Sequence, residues 1–316
     1  MRGGMGWQIT EIFSKSGIVK IGESKHEAKA AARESGANSW ADMGKALGIF
    51  SYNTAGAYKD TWHQFANFSK ATLNLRDIEK TSATHVQAYL DSRISERVAL
   101  ATIAKEAAAL CKLENALNLY SAKYERGNQY NFRDAIRETV TEARHELPKA
   151  DPHRTYSSPE HIIEAIRDVK HRVAAQSQLE SGARIHEISL VKLDQMRGIG
   201  QDRTTGKKCG IIEIKGKGGK IRELHVSVGT YENISSTIKS EGKFSIDKNA
   251  YRFDLHQACE NCGEKYNGSH GLRWTYAQDR MESLQSDHGM SYEQSLRQVS
   301  LDLGHERPDI TEHYLR

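Results

Sequence analysis

The sequence predicts a mainly α-helical protein of two domains, with a small antiparallel β-sheet in the second. Three observations carry that expectation. Upstream of position 147, apolar residues recur at intervals of three and four, the helical period. Pro148, Pro152 and Pro159, three of only four prolines, fall within twelve residues and break the chain in two. Beyond them, two β-branched runs flank a glycine-rich turn. At roughly 150 residues per domain, a length of 316 suits two domains.

The first thirty-five residues read as a small appendage of a hairpin and a helix. Gln8–Phe13 alternates, Ser16-Gly17 can turn and Ile18–Ile21 follows, which predicts a hairpin. A helix over Lys25–Arg33 would then set Lys25, Lys29 and Arg33 one turn apart, as a basic stripe for phosphates or a solvated face. Residues 36–147 form the helical domain. Tyr58, Trp62, Phe65 and Ala66 mark one helix, capped by Asn53 or Thr54, and Val86, Tyr89 and Leu90 mark a second. Leu110, Leu113, Leu117, Tyr120 and Tyr124 make a third, ending at Gly127. Asn131 would cap a fourth, carrying Ile136 and Val140.

Residues 148–159 read as an extended linker. Residues 160–316 form the second domain. It opens with proline at the first position of a helix capped by Ser158. Strands over Gly210–Lys215 and Ile221–Ser227 follow, then helices from Ser269 and from Ser291, the latter with a capping box.

Composition excludes several classes. The net charge is only +4, from 45 basic and 41 acidic residues, with 38% hydrophobic residues; mean hydropathy is −0.67 and the pI about 8.7. That is polar for a globular chain but enough for two modest cores. No run approaches the roughly 18 apolar residues of a membrane span, and no apolar h-region follows Met1, so no membrane partner and no secretory signal are expected. Four cysteines make no disulfide framework, and a reducing cytoplasm is the expected compartment. His256, Cys259 and Cys262 have a spacing that would suit zinc, but a fourth ligand is not evident, so no metal is expected.

Charge is concentrated in the hairpin. Arg203, Lys207, Lys208, Lys215, Lys217, Lys220 and Arg222 stand against one acid, Glu213, an excess of +6 that favours a polyanion. The glycines there are neither a P-loop nor a dinucleotide fingerprint, since the Gly-Lys-Ser/Thr spacing and the following helix are both missing. Further on, His270 and Arg273 sit three apart at a helix start, where anions are favoured. Read singly, Arg184 is a salt-bridge partner and Tyr314 a side chain that closes a core.

In order, these parts are more specific. Gly182-Ala-Arg-Ile-His-Glu187, the hairpin Gly216-Lys-Gly-Gly-Lys-Ile-Arg222, Ser269-His-Gly-Leu-Arg273 and Leu303-Gly-His305, with Tyr314 nine residues on, resemble the boxes of the tyrosine recombinases, the phage integrase family. The resemblance covers Ser158 to Arg316. It implies a helical core-binding domain ahead of a mixed α/β catalytic domain, and an enzyme that cleaves and rejoins DNA through a 3′-phosphotyrosyl link. By it, Arg184 and Arg273 clamp the phosphate, Tyr314 is the nucleophile and Lys217 the general acid, with Lys220 the alternative. His270 serves in proton transfer around Tyr314, His305 hydrogen-bonds the phosphate and Glu187 supports the arginine box. Lys207, Lys208, Lys215, Lys220, Arg222, Lys25 and Lys29 are DNA-binding candidates.

The same resemblance implies no cofactor, duplex DNA with inverted-repeat core sites as substrate, a homotetramer on that DNA, and a directionality factor as a further partner. The compartment would be the cytoplasm, at the bacterial nucleoid when the protein acts, and the biological setting a phage or other mobile element. Only Leu315 and Arg316 follow the tyrosine, whereas family members continue, a departure that bears on subunit exchange rather than on cleavage. The chemistry suits the residues on its own terms: fixed cations can hold a phosphodiester without a metal, and a phosphotyrosine conserves the bond energy for religation. A type IB topoisomerase-like enzyme and a decayed DNA-binding regulator are the competing readings. The presence of the full set Arg184, Lys217, His270, Arg273, His305 and Tyr314 argues against decay.

Overall fold

A computed structural model describes every residue except 150–152, 217, 218, 306 and 316, with the backbone alone at Trp40. The chain divides into two compact units, Met1–Ala150 and Asp151–Arg316. Part of the expected linker, residues 150–152, lies outside the described residues.

The first unit is helical: α1 (Met5–Lys15), α2 (Lys25–Glu34), α3 (Trp40–Ala46), α4 (Tyr52–Thr72), α5 (Ala83–Ser95), α6 (Leu100–Lys123) and α7 (Arg133–Glu146). Trp62, Phe65, Ile103, Leu110 and Leu113 are fully buried in its core, and Trp62 Nε1 donates to Ala109 O at 2.7 Å. Two carboxylates interrupt the apolar stripe of α6. Glu106 accepts from Arg93 Nε at 3.0 Å and Glu114 from Arg133 Nε at 2.7 Å, so each buried charge is paired. Ser51 caps α4 instead of Asn53 or Thr54, and α7 starts after Phe132, one residue past the expected cap.

The hairpin expected over Gln8–Ile21 is not formed. Residues Met5–Lys15 are α-helix, and Met5, Ile9 and Ile12 join the core of this unit. The apparent alternation fails because Gln8 is a buried residue: its Nε2 donates to Gly3 O at 2.9 Å and its Oε1 accepts from Ile78 N at 2.7 Å. With Gln8 on the inner face, the buried set falls at helical spacing and packs against α4, where Phe13 meets Trp62 edge to face. Ile49 then donates to Ile18 O and accepts from Lys20 N, a single parallel bridge between Val19 and Ile49. Helix α2 does form; Lys25 and Arg33 are exposed and Lys29 is half-buried.

The second unit runs α8 (Pro159–Ala165), α9 (Val169–Ser181), α10 (Ile185–Ile188), β1 (Leu190–Val191), β2 (Met196–Gln201), β3 (Lys208–Lys215), β4 (Ile221–Val226), α11 (Val228–Glu241), β5 (Phe244–Ser245), α12 (Lys248–Asn261), α13 (Ser269–Ser286), α14 (Tyr292–Leu303) and α15 (Pro308–Glu312). Strands β2, β3 and β4 make an antiparallel sheet in that order, with Ile214 opposite Arg222. Ile212, Ile214, Leu224 and Val226 face the core, so Glu213 and Glu223 point away from it. β2 escaped the sequence reading because Gly198 and Gly200 dilute its pattern and a bulge interrupts its register. Helix α13 crosses the unit between α9 and α14, carrying the buried Leu272, Trp274 and Ala277.

Candidate active site

The site is assembled where the ends of α9 and α14 meet the start of α13. Helix α9 ends at Gly182 in the left-handed region, φ 62°. A side chain there would also collide with Tyr276, since a Cβ would lie 2.5 Å from its ring. The turn sets Arg184 immediately before α10. Glu187 closes on it three residues later, its Oε2 accepting the Arg184 backbone N–H at 2.7 Å and its Oε1 accepting Nη1 at 2.9 Å. The Arg-x-x-Glu spacing thus has a local reason: one helical turn folds the carboxylate back onto the arginine.

Glu187 also binds Arg222 Nη2 at 2.8 Å. Arg222, expected as a DNA contact, instead turns inward from β4, its side chain only 8% exposed, and Nη1 donates to Asp302 O. The reason is packing: Gly304 ends α14 at φ 67° and leaves a gap that the Arg222 side chain fills. Burial alone would raise the Glu187 carboxyl; the Arg222 guanidinium and the Arg184 N–H groups override it and hold it below the usual range.

That depression has a consequence for stability. A carboxylate lowered in the folded state stabilises the protein above its unfolded value, near 4.5, and that contribution is lost as pH falls through the folded value. Glu187→Gln should therefore be less stable than wild type at neutral pH, by the roughly 3–5 kcal/mol of a broken buried pair. The gap should narrow as acid protonates wild-type Glu187. Thermal melts of both proteins between neutral pH and pH 3 check it, and a constant gap would refute it.

Arg273 is the central brace. It is 0% exposed; Nη1 donates to Gly182 O, and Nη2 donates to Leu303 O at 2.6 Å and to His305 Nε2 at 3.1 Å. Its Nε, like that of Arg222, has no acceptor among the described residues. Burial, and then the charge of Arg184, lower its pKa to about 10, which leaves it cationic at neutral pH.

Tyr314 lies in a 3₁₀ turn just after α15 and is 7% exposed. Its hydroxyl is 2.9 Å from His270 Nε2. The ring packs on Trp274 at 5.0 Å and on His305 at 5.3 Å, and lies 5.7 Å from the Arg273 guanidinium carbon. Burial and then the Arg273 charge push His270 down to about 4 and His305 to about 3. Both rings are therefore neutral at physiological pH, and neutral His270 can accept the tyrosine proton.

The structure thus brings Arg184, Glu187, Arg222, His270, Arg273, His305 and Tyr314 together. Lys217 lies outside the described residues. Gly216, the residue before it in the sequence, adjoins the site: a Cβ there would be 3.2 Å from Glu187 Oε1. Lys207, Lys208, Lys215 and Lys220 are exposed. Sequence reasoning missed Arg154 and Arg252, exposed cations that line an open cleft with Arg184, Ser269 and His270. It also missed Asp302, Thr311 and Ser300; nothing in their spacing signals a role. His256 packs on Tyr266, Cys259 is buried and Cys262 donates to His161 O. Among the described residues, no three His, Cys, Asp or Glu side chains converge as a metal site.

A chain braced in this way has the fold of solved site-specific recombinases and of a transposon integrase. It is similar to XerH site-specific recombinase, solved on difH DNA before cleavage, with 18% identity and a TM-score of 0.62 over 99% of this chain and 92% of that one. XerH on a palindromic difH substrate after cleavage matches with 16% identity and a TM-score of 0.60 over 99% and 91%. The Tn1549 transposon integrase bound to transposon right end DNA matches with 12% identity and a TM-score of 0.58 over 98% and 94%. No protein-family model matches the sequence, and no curated protein matches it. Among the described residues, no helix is long and apolar enough to cross a membrane.

Proposed function

We propose that this protein is a site-specific DNA recombinase that cleaves and rejoins DNA through Tyr314. The observation that carries the reading is the Tyr314 hydroxyl, 2.9 Å from a neutral His270 and beside the buried Arg273. Arg184 and Arg273 hold the non-bridging oxygens of one phosphodiester. Tyr314 Oη attacks phosphorus while His270 takes the phenolic proton. The bond from Oη to phosphorus forms, the bond to the 5′-oxygen breaks, and Lys217 gives that oxygen its proton. His305 hydrogen-bonds the phosphate. Because Arg273 is fully buried, engaging it requires the covering side chains to shift, and the ring of Tyr314 is one of them.

The wider setting follows the same reading. The helical segment 36–147 binds duplex DNA, the linker 148–159 tethers it to the catalytic domain 160–316, and residues 1–35 add contacts through Lys25 and Lys29. The substrate carries inverted-repeat core sites, and a homotetramer joins two duplexes, with a directionality factor choosing between integration and excision of a phage or other mobile element. The compartment is the cytoplasm. Support comes from the XerH fold, solved on a palindromic site, and the transposon integrase, solved on a transposon end.

The test begins by expressing the protein beside its native flanking DNA and sequencing the junctions, which identifies the site. A nicked suicide substrate built from it should trap a covalent adduct without metal or nucleotide; no adduct on any recovered site would overturn the proposal. The choice of lysine has its own check. Lys217→Ala should be inactive on ordinary DNA and recover on a 5′-phosphorothiolate, whose sulfur leaves without a proton. Recovery by Lys220→Ala alone would move the general acid to Lys220.

A further inference from the structure

Behind the site, a buried line of hydrogen bonds runs from Arg273 to the interior of α14. Arg273 Nη2 is 3.1 Å from His305 Nε2, and His305 Nδ1 is 2.7 Å from Thr311 Oγ1. Thr311 Oγ1 is 2.8 Å from Ser300 Oγ, which is 2.7 Å from Leu296 O. Thr311 is 0%, Ser300 4% and His305 8% exposed, so no solvent competes for these groups.

The two ends of the line have fixed polarity. A guanidinium only donates, and a carbonyl oxygen only accepts. His305 and the two hydroxyls can each face either way, but the guanidinium fixes the first link. Arg273 donates to Nε2, so Nδ1–H donates to Thr311 Oγ1, and Ser300 shares its hydrogen between Thr311 Oγ1 and Leu296 O. In the reverse arrangement, Nε2–H would face the Arg273 N–H, two donors against each other in a buried place.

We infer that Thr311 and Ser300 are positioning residues that hold His305 in its Nδ1–H tautomer, with the Nε2 lone pair aimed at Arg273. The inference rests on the recombinase reading for its functional meaning and on this geometry for its content. Nε2 then fixes the plane of the guanidinium that would hold the phosphate. To donate to a phosphate oxygen, the ring must first take a proton at Nε2, and Thr311 accepts from Nδ1–H before and after. Burial, and then Arg273, Arg184, Arg222 and His270, oppose that proton; the incoming phosphate supplies the counter-charge. Thr311 lies on α15, three residues before Tyr314, so the same contact ties down the segment bearing the nucleophile.

The test uses the full chain with ¹⁵N-labelled histidine, its His305 signals assigned by their loss in His305→Asn. Wild type should show a protonated Nδ1 and an unprotonated Nε2. Thr311→Val keeps the shape and removes the hydroxyl. It should lose that tautomer preference and slow covalent trapping by roughly 10–100-fold, the scale of losing a group that orients a functional histidine, with DNA affinity unchanged. Thr311→Ser should restore both readouts. Ser300→Ala, benign in a helix, should shift the tautomer in the same direction and covers the case in which Thr311→Val does not fold. An Nε2–H tautomer in wild type, or wild-type behaviour of both Thr311→Val and Ser300→Ala, overturns the inference. If wild type traps no DNA, the recombinase reading fails, while the spectra still decide the tautomer.

Discussion

Tyr314→Phe should abolish covalent capture of DNA. On a nicked suicide substrate, wild type should accumulate a denaturation-resistant adduct while the phenylalanine variant forms none. The substitution deletes one oxygen, the proposed nucleophile, and with it the contact to His270. The ring contacts to Trp274, His305 and Arg273 remain available, so the fold and DNA affinity should stay close to wild type. That combination, complete loss of chemistry with binding retained, separates a nucleophile from a packing residue. An adduct that persists in Tyr314→Phe, or a strict need for magnesium in wild type, would remove Tyr314 from its assigned role.

Loss of either arginine proposed to clamp the phosphate should cost the next largest factor. Arg184→Ala and Arg273→Ala should each slow cleavage by at least the roughly 10²–10³-fold typical of one lost transition-state donor. Arg273→Ala should be the more damaging, because its guanidinium also joins Gly182 O, Leu303 O and His305. Arg273→Lys should not rescue it, since an ammonium on a flexible stem cannot span two carbonyls and an imidazole in one plane. Single-turnover cleavage, measured beside melting temperature and DNA affinity, tests the pair. Near-wild-type cleavage by Arg273→Ala would refute the clamp.

Much of this architecture was legible in local pattern. The stripe through Leu110, Leu113 and Leu117 announced α6, and two β-branched runs about Gly216–Lys220 announced the sheet's main hairpin, because periodicity and turn chemistry are properties of a few consecutive residues. The same local reasoning misread Gln8–Phe13. Whether Gln8 faces solvent or core depends on Ile78, seventy residues away, whose backbone N–H satisfies its side chain. Arg222 was misjudged for a similar reason: a cation near a turn reads as surface charge until Glu187 and Asp302 are seen to enclose it.

By itself, the sequence determined which side chains carry charge or a nucleophile, and in what order. Arg184, Glu187, His270, Arg273, His305 and Tyr314 were singled out by their order along the chain, through the resemblance to the tyrosine recombinases. Only the tertiary structure decided what state those groups adopt. Burial, followed by the Arg184 charge at Arg273 and the Arg273 charge at the histidines, sets their ionisation, and the donor-only guanidinium of Arg273 sets the direction of the hydrogen bonds through His305 to Thr311. Residue identity is written along the chain, whereas desolvation and hydrogen-bond polarity depend on which distant segments pack around each group.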